Sequence, residues 1–357
     1  MSLPITHVAT TDISDMLNPE GGRRMKLPGF DAEFVDFPDY IIRITDRIWH
    51  DRDVDLCAKY YTDDCLIHTL TGQIIGAQTV IDNTHATLKS FPDRVLDADN
   101  VIWSDEGDGT LYSSHLITSK MTNLGPSEFG PPTGKKVRVR TIADCAAKAN
   151  KIFEEWLVRD YAAMVIHMGF DVDKIAAKLA ADDIANGNSL IDFHESSHMA
   201  VSGQSISKSD KPDHPEDDPK RFAQAMLGHY LTPLGADSLS DVYDFRVSTL
   251  YPGDRDFYGH DELGAFWSAL FKALPDAKFR LEHVADIPYL GSARDIAVRW
   301  SLAAHHTGEG LYGAPSGAPV YILGVTHWRV MNGRIREEVT VWDDVAVRRQ
   351  IETARQS

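Results

Sequence analysis

The chain has 357 residues, 43% of them hydrophobic and 25% charged, which is material for two soluble globular domains, each with its own core. Its 36 basic and 53 acidic residues leave a formal charge of −17, which repels phosphate backbones and anionic lipid, so nucleic acid and membranes are poor partners. Three cysteines without CxxC spacing argue against a disulfide framework or a zinc ribbon. No basic segment opens a signal peptide, and no apolar run reaches the roughly 20 residues of a membrane span, so a cytoplasmic protein is expected.

Residues 1–38 hold Pro4, Pro19, Pro28 and Pro38 and show no sustained period. They are expected to form an irregular arm against the body or a partner subunit. From Asp39 the spacing of Ile41, Ile44, Ile48 and Trp49 predicts a helix, and 53–61 a second, short one. A strand over 65–70 ends at Thr71-Gly72, and a helix over 77–90 is stopped by Pro92. The period then falls toward two, which predicts strands over 95–104, 110–122, 137–147 and 151–160. Residues 161–200 read as helical, with Ile175, Leu179 and Ala180 on one side, and 203–220 as a polar, proline-containing linker.

The second half repeats this order. Met226, Leu227 and Leu231 mark a helix, and another runs from Gly259 to Leu274-Pro275-Asp276. Strands follow near 279–287, 294–306, 319–331 and 334–343, the last two joined by Asn332-Gly333, a type I′ hairpin signal. The division is an arm (1–38), a first domain with a helical extension (39–200), a linker (201–221) and a second domain (222–357). Helices followed by a strand meander make each domain α+β.

At an offset of 183 residues the halves align. Gly76 meets Gly259, and Phe91-Pro92-Asp93 meets Leu274-Pro275-Asp276. Gly130-x-Pro132-Thr133-Gly134 meets Gly313-x-Pro315-Ser316-Gly317, and Glu154-Glu155 meets Glu337-Glu338. Ile152 and Asp160 meet Ile335 and Asp343. The run G-x-P-[ST]-G, a strand, a turn and then I-x-E-E-x-x-x-x-D resembles the SnoaL-like branch of the nuclear-transport-factor-2-like superfamily. The resemblance implies two tandem cone-shaped α+β barrels, each a curved antiparallel sheet closed by helices around an apolar pocket. It also implies that the two form an intramolecular pseudo-dimer, with a homo-oligomer left open.

Strict alternation along the last strands puts Ile152, Glu154, Trp156, Val158 and Asp160 on one face, and Ile335, Glu337, Val339, Val341 and Asp343 on its counterpart. These mostly apolar faces are expected to point inward, where a carboxylate's pKa rises toward neutrality. Asp160 and Asp343 are therefore the first acid/base candidates, and the resemblance implies a proton-transferring Asp at this strand position. Each also precedes a helical stretch it could cap. Asp144 and His327 occupy aligned positions on the neighbouring strands; a two-residue turn at Asn332-Gly333 would set His327 opposite Glu338, away from Asp343. Glu154, Glu337, Trp156, Trp300, His68, His115 and Tyr251 are candidate ligand contacts, with His305 and His306 further polar residues on the same strands.

His194-Glu195-Ser196-Ser197-His198 matches HExxH, but Gly187, Asn188 and Ser189 crowd it and no third His follows at zincin spacing, so a zinc site is not favoured. No nucleotide-binding glycine motif and no G-x-S-x-G elbow occurs, and no cofactor is implied. The expectation is acid/base chemistry of the cyclase, isomerase, dehydratase or hydrolase kind on a small apolar organic molecule, with the second copy slightly favoured as the active one. The alternative is a non-catalytic binding or scaffold protein.

Overall fold

The computed structural model describes residues 5–187, 190–206 and 218–357; most of the expected linker, 207–217, lies outside the described residues. The chain divides into two units, one of 1–69, 73–159 and 167–169, the other of 70–72, 160–166 and 170–357. The helical segment read as an extension of the first domain thus groups mainly with the second.

In the first unit the elements are α1 (Ile13–Leu17), α2 (Phe37–Thr45), α3 (Cys57–Tyr60), β1 (Tyr61–Thr69), β2 (Gly72–Ile75), α4 (Ala77–Ser90), β3 (Val95–Asp105), β4 (Leu111–Thr122), β5 (Lys136–Lys148) and β6 (Lys151–Arg159). The sheet order is β2-β1-β6-β5-β4-β3. The meander from β3 to β6 is antiparallel as expected, but it returns β6 alongside β1 in parallel, so the sheet is mixed.

Helix α2 starts where Asp36 accepts a hydrogen bond from Asp39 N at 2.9 Å and Pro38 occupies the first turn. It buries Phe37, Tyr40, Ile41 and Ile44 against one face of the sheet, with Val101, Leu111, Ala143, Cys145 and Ile152. The arm packs on this body: Val8, Met16, Leu27, Phe30 and Phe34 belong to the same core. Gly76, just before α4, has φ +87, and a Cβ there would lie 2.6 Å from the Asp63 carbonyl oxygen, so the entry to the helix requires glycine.

The second unit contains α5 (Tyr161–Met168), α6 (Val172–Asn186), α7 (Leu190–Ser202), α8 (Pro219–Ala225), β7 (Tyr243–Tyr251), β8 (Arg255–Tyr258), α9 (Gly259–Ala273), β9 (Lys278–Pro288), β10 (Arg294–His305), β11 (Pro319–Met331), β12 (Arg334–Trp342) and α10 (Asp344–Gln356). Its sheet, β8-β7-β12-β11-β10-β9, repeats the first, including the parallel pair β7–β12. Asn332 and Gly333 both have positive φ, as a type I′ turn requires. Helices α6 and α10 pack together and are tied by the Arg349–Asp183 ion pair. No described helix is long and apolar enough to cross a membrane.

Candidate active site

Strict alternation fails on the last strand of each copy, at the same place. In β6, Ile152 pairs with Ala147 but Glu154 pairs with Ala146, so Phe153 is an extra residue. In β12, Ile335 pairs with Val330 and Glu337 with Arg329, so Arg336 is extra. Such a bulge exchanges the two faces beyond it. Glu155 and Glu338, rather than Glu154 and Glu337, therefore face the helix-covered interior.

Across the first sheet the interior row reads Ile67, Glu155, Cys145, Ser113 and Trp103, each paired with the next. The next row is Leu157, Ala143, His115 and Val101. Tyr61, at the start of β1, donates its hydroxyl to Glu155 Oε2 at 3.1 Å. Burial pushes the Glu155 carboxyl up to about 7, against the opposing pull of Arg159 and the Tyr61 hydrogen bond. Burial alone pushes His115 down to about 3, so its ring is neutral. Ser113 is fully buried and His115 is 2% exposed, and neither Ser113 Oγ nor His115 Nε2 has a hydrogen-bond partner. Around them Trp49, Leu88, Leu96, Trp103 and Leu157 are only partly buried. The arrangement joins a carboxyl that exchanges its proton near neutrality to uncommitted polar groups on an apolar wall.

The second interior has the same carboxyl but different surroundings. Trp300 Nε1 donates to Thr326 Oγ1 at 3.0 Å, the Thr326 and Thr340 hydroxyls are 2.8 Å apart, and Thr340 donates to Glu338 Oε1 at 2.6 Å. Tyr243 donates to Glu338 Oε2 at 2.6 Å, and Tyr251 also bonds this carboxyl, which burial pushes up. Trp267, Trp300, Trp328, Trp342 and Phe266 fill the space, all nearly inaccessible.

The candidates from sequence scatter. His115 faces the first interior, and Trp300 and Tyr251 face the second. Glu154 lies on the outer face, where His68 Nε2 is 2.8 Å from its Oε1 and His68 stacks on Trp156. Glu337 pairs with Arg329 at 2.6 Å near solvent. Asp144, hydrogen-bonded by Tyr112, shares the outer face of the first sheet with Trp156. His327 is buried on the outer face of the second, opposite Val339 rather than Glu338, because the bulge at Arg336 shifts the pairing.

Asp160 accepts from Ala163 N at 2.9 Å at the start of α5, and from Gly253 N and Asp254 N; burial nevertheless raises it to about 6. Asp343 caps α10 through Ala346 N at 2.9 Å. Both aspartates therefore sit as helix caps with backbone donors on their oxygens, and neither lies in an interior row.

The HExxH segment does form a helix, α7, with both histidines buried. His194 Nε2 is 2.7 Å from the Leu70 carbonyl oxygen, and burial lowers the ring to about 4. His198 packs edge-on to His305, which is held by Asp276, while His306 is 3.1 Å from the Ser316 hydroxyl. Among the described residues no three metal-ligating side chains gather.

Sequence reasoning missed Glu155, Glu338, Tyr61, Tyr243 and Ser113. The signal was present in part: both glutamates of the EE pair repeat, and Tyr61 and Tyr243 repeat at an offset of 182.

The family described as SnoaL-like polyketide cyclase matches residues 40–166 and 235–351. No curated protein matches. Among solved structures, a candidate SnoaL-like polyketide cyclase from Jannaschia sp. CCS1 is 19% identical, with a TM-score of 0.33, covering 41% of this chain and 98% of that one. IdmH from Streptomyces antibioticus, described as a candidate polyketide cyclase, is 17% identical, with a TM-score of 0.32 and coverage of 37% and 97%. AclR from Streptomyces galilaeus, described as a candidate hydroxylase, is 19% identical, with a TM-score of 0.31 and coverage of 34% and 88%.

Proposed function

The chain belongs to the SnoaL-like polyketide cyclase family, and on that footing we propose that its first unit binds a small, largely apolar organic substrate and moves a proton on it through Glu155. Family membership supports a small-molecule-binding protein of this type. One observation carries the finer reading: an inward carboxyl raised to about 7, held by Tyr61, among apolar side chains of which several are only partly buried. A group with that pKa gives and takes protons at neutral pH with little driving force lost either way. The chemistry is acid/base, of the cyclase, isomerase, dehydratase or hydrolase kind, without a cofactor. This favours the first copy, where sequence divergence alone leaned toward the second.

The elementary step is proton abstraction next to a carbonyl, and 2-tetralone serves as the probe. Exchange of its α-hydrogens in deuterated buffer, followed by NMR, should be accelerated by the protein and slowed about 10²- to 10⁴-fold by Glu155→Gln. Equal acceleration by the variant would take the proton transfer away from Glu155, and no acceleration by the parent would leave the non-catalytic binding role, in which the interior holds a ligand without transforming it.

A further inference from the structure

Two buried polar atoms of the first interior are left over by this chemistry. Ser113 Oγ and His115 Nε2 both belong to β4, two residues apart on one face, and neither has a partner. A buried donor without a partner costs about 1–3 kcal/mol, so a fold seldom keeps two side by side for structural reasons. Their counterparts in the second unit, Ile296 and Val298, are apolar and buried, which shows that the same sheet position folds without them.

Ser113 lies two strands from Glu155, with Cys145 between, which sets the two backbones about 10 Å apart. A planar substrate laid along that span would have one edge toward the carboxyl and the other toward the two donors.

Resting on the assignment of Glu155 as the proton-transferring group, we propose that Ser113 and His115 form a two-donor oxyanion site that holds the carbonyl oxygen of the substrate and selects ketones able to form an enolate. The Ser113 hydroxyl and the Nε2–H of the neutral imidazole donate to that oxygen. Ionised Glu155 takes the proton from the adjacent carbon. The C–H electron pair becomes the new C=C bond, and the carbonyl π pair moves onto the oxygen, whose negative charge the two donors hold. Protonated Glu155 then returns the proton to the same skeleton, so atoms and charge balance and no oxidant or reductant is needed. A neutral imidazole serves this role better than a charged one, because its N–H is far too weak an acid to surrender its proton to the enolate.

The test uses 4-nitrophenol, whose phenolate is coloured and mimics an enolate oxygen. The full-length protein is expected to bind the phenolate. Ser113→Ala and His115→Phe should each weaken that binding about 10-fold, as loss of a hydrogen bond to a charged oxygen does. Neither variant should lower the melting temperature, because each removes an unsatisfied buried group; a merely structural role predicts a lower melting temperature with phenolate affinity unchanged. Glu155→Gln should bind phenolate as tightly as the parent or more tightly while losing exchange of 2-tetralone. If Glu155→Gln keeps exchange but the β4 variants still lose phenolate, the donor pair stands and the proton-transfer assignment falls. Absence of phenolate binding by the parent, or unchanged affinity in both β4 variants, overturns the proposal.

Discussion

The two interiors begin from the same strand order, the same bulge and the same inward glutamate, and end as different environments. Around Glu155 the first unit places Cys145, Ser113 and Ala143; at the matching positions around Glu338 the second places Trp328, Ile296 and Thr326. Thr84 of α4 corresponds to Trp267 of α9, and Ile117 of β4 to Trp300 of β10. Glu338 is consequently enclosed and answered by Thr340, Tyr243 and Tyr251, whereas Glu155 has Tyr61 and neighbours of which several are only partly buried. A repeated acid is therefore a weak guide to a repeated activity; the volume of the side chains around it decides whether anything can reach it.

The sharpest way to break this contrast is to treat the glutamates alike. Glu155→Gln should cost 2-tetralone exchange about 10²- to 10⁴-fold and Glu338→Gln nothing measurable. Retention of about half the exchange in each single variant would show that the second interior also turns over substrate.

The fillings can also be exchanged. Trp328→Cys should destabilise the second unit by about 3–5 kcal/mol, read in denaturant unfolding, because it leaves a cavity among packed rings. Cys145→Trp should instead block binding of 4-nitrophenolate to the first unit, at an overpacking cost of about 1–3 kcal/mol.

Stability against pH sharpens the comparison further. The carboxyl of Glu155 stands at about 7 in the fold against 4.5 when exposed. Below 4.5 both states hold the proton and nothing is lost. Between 4.5 and about 7 the unfolded chain ionises first, so stability falls as pH rises. Glu155→Gln should flatten the slope of melting temperature in that window, leaving a residual slope of the same sign from Asp160, which burial raises to about 6.

The smallest effects belong to the strand-end aspartates. Asp160→Ala and Asp343→Ala should each cost about 1 kcal/mol through loss of a helix cap, while the Asn variants, which still cap, should unfold close to the parent. Loss of exchange in Asp160→Asn with the fold intact would restore a chemical role to that residue.

The fold was largely legible because its signals are local and repeated: the helix faces, the G-x-P-[ST]-G turns and the NG hairpin. The site was less so. Counting by twos along IFEEWLVRD places Glu154 and Trp156 inside, and only an extra residue at Phe153, invisible to alternation, puts Glu155 there instead. His115 was legible as a polar residue on a probable pocket strand, but its lack of a partner, like that of Ser113, depends on what the facing helices leave uncovered. The aspartates repeat because a helix must be capped after the last strand of either copy.

The extra residues Phe153 and Arg336 stand at equivalent places, 183 positions apart. The same one-residue register shift therefore turns the second glutamate of the pair inward in both halves. One backbone irregularity thus serves two ends: in one unit it presents a carboxyl beside uncommitted polar groups, in the other it supplies the hub on which Thr340, Tyr243 and Tyr251 converge.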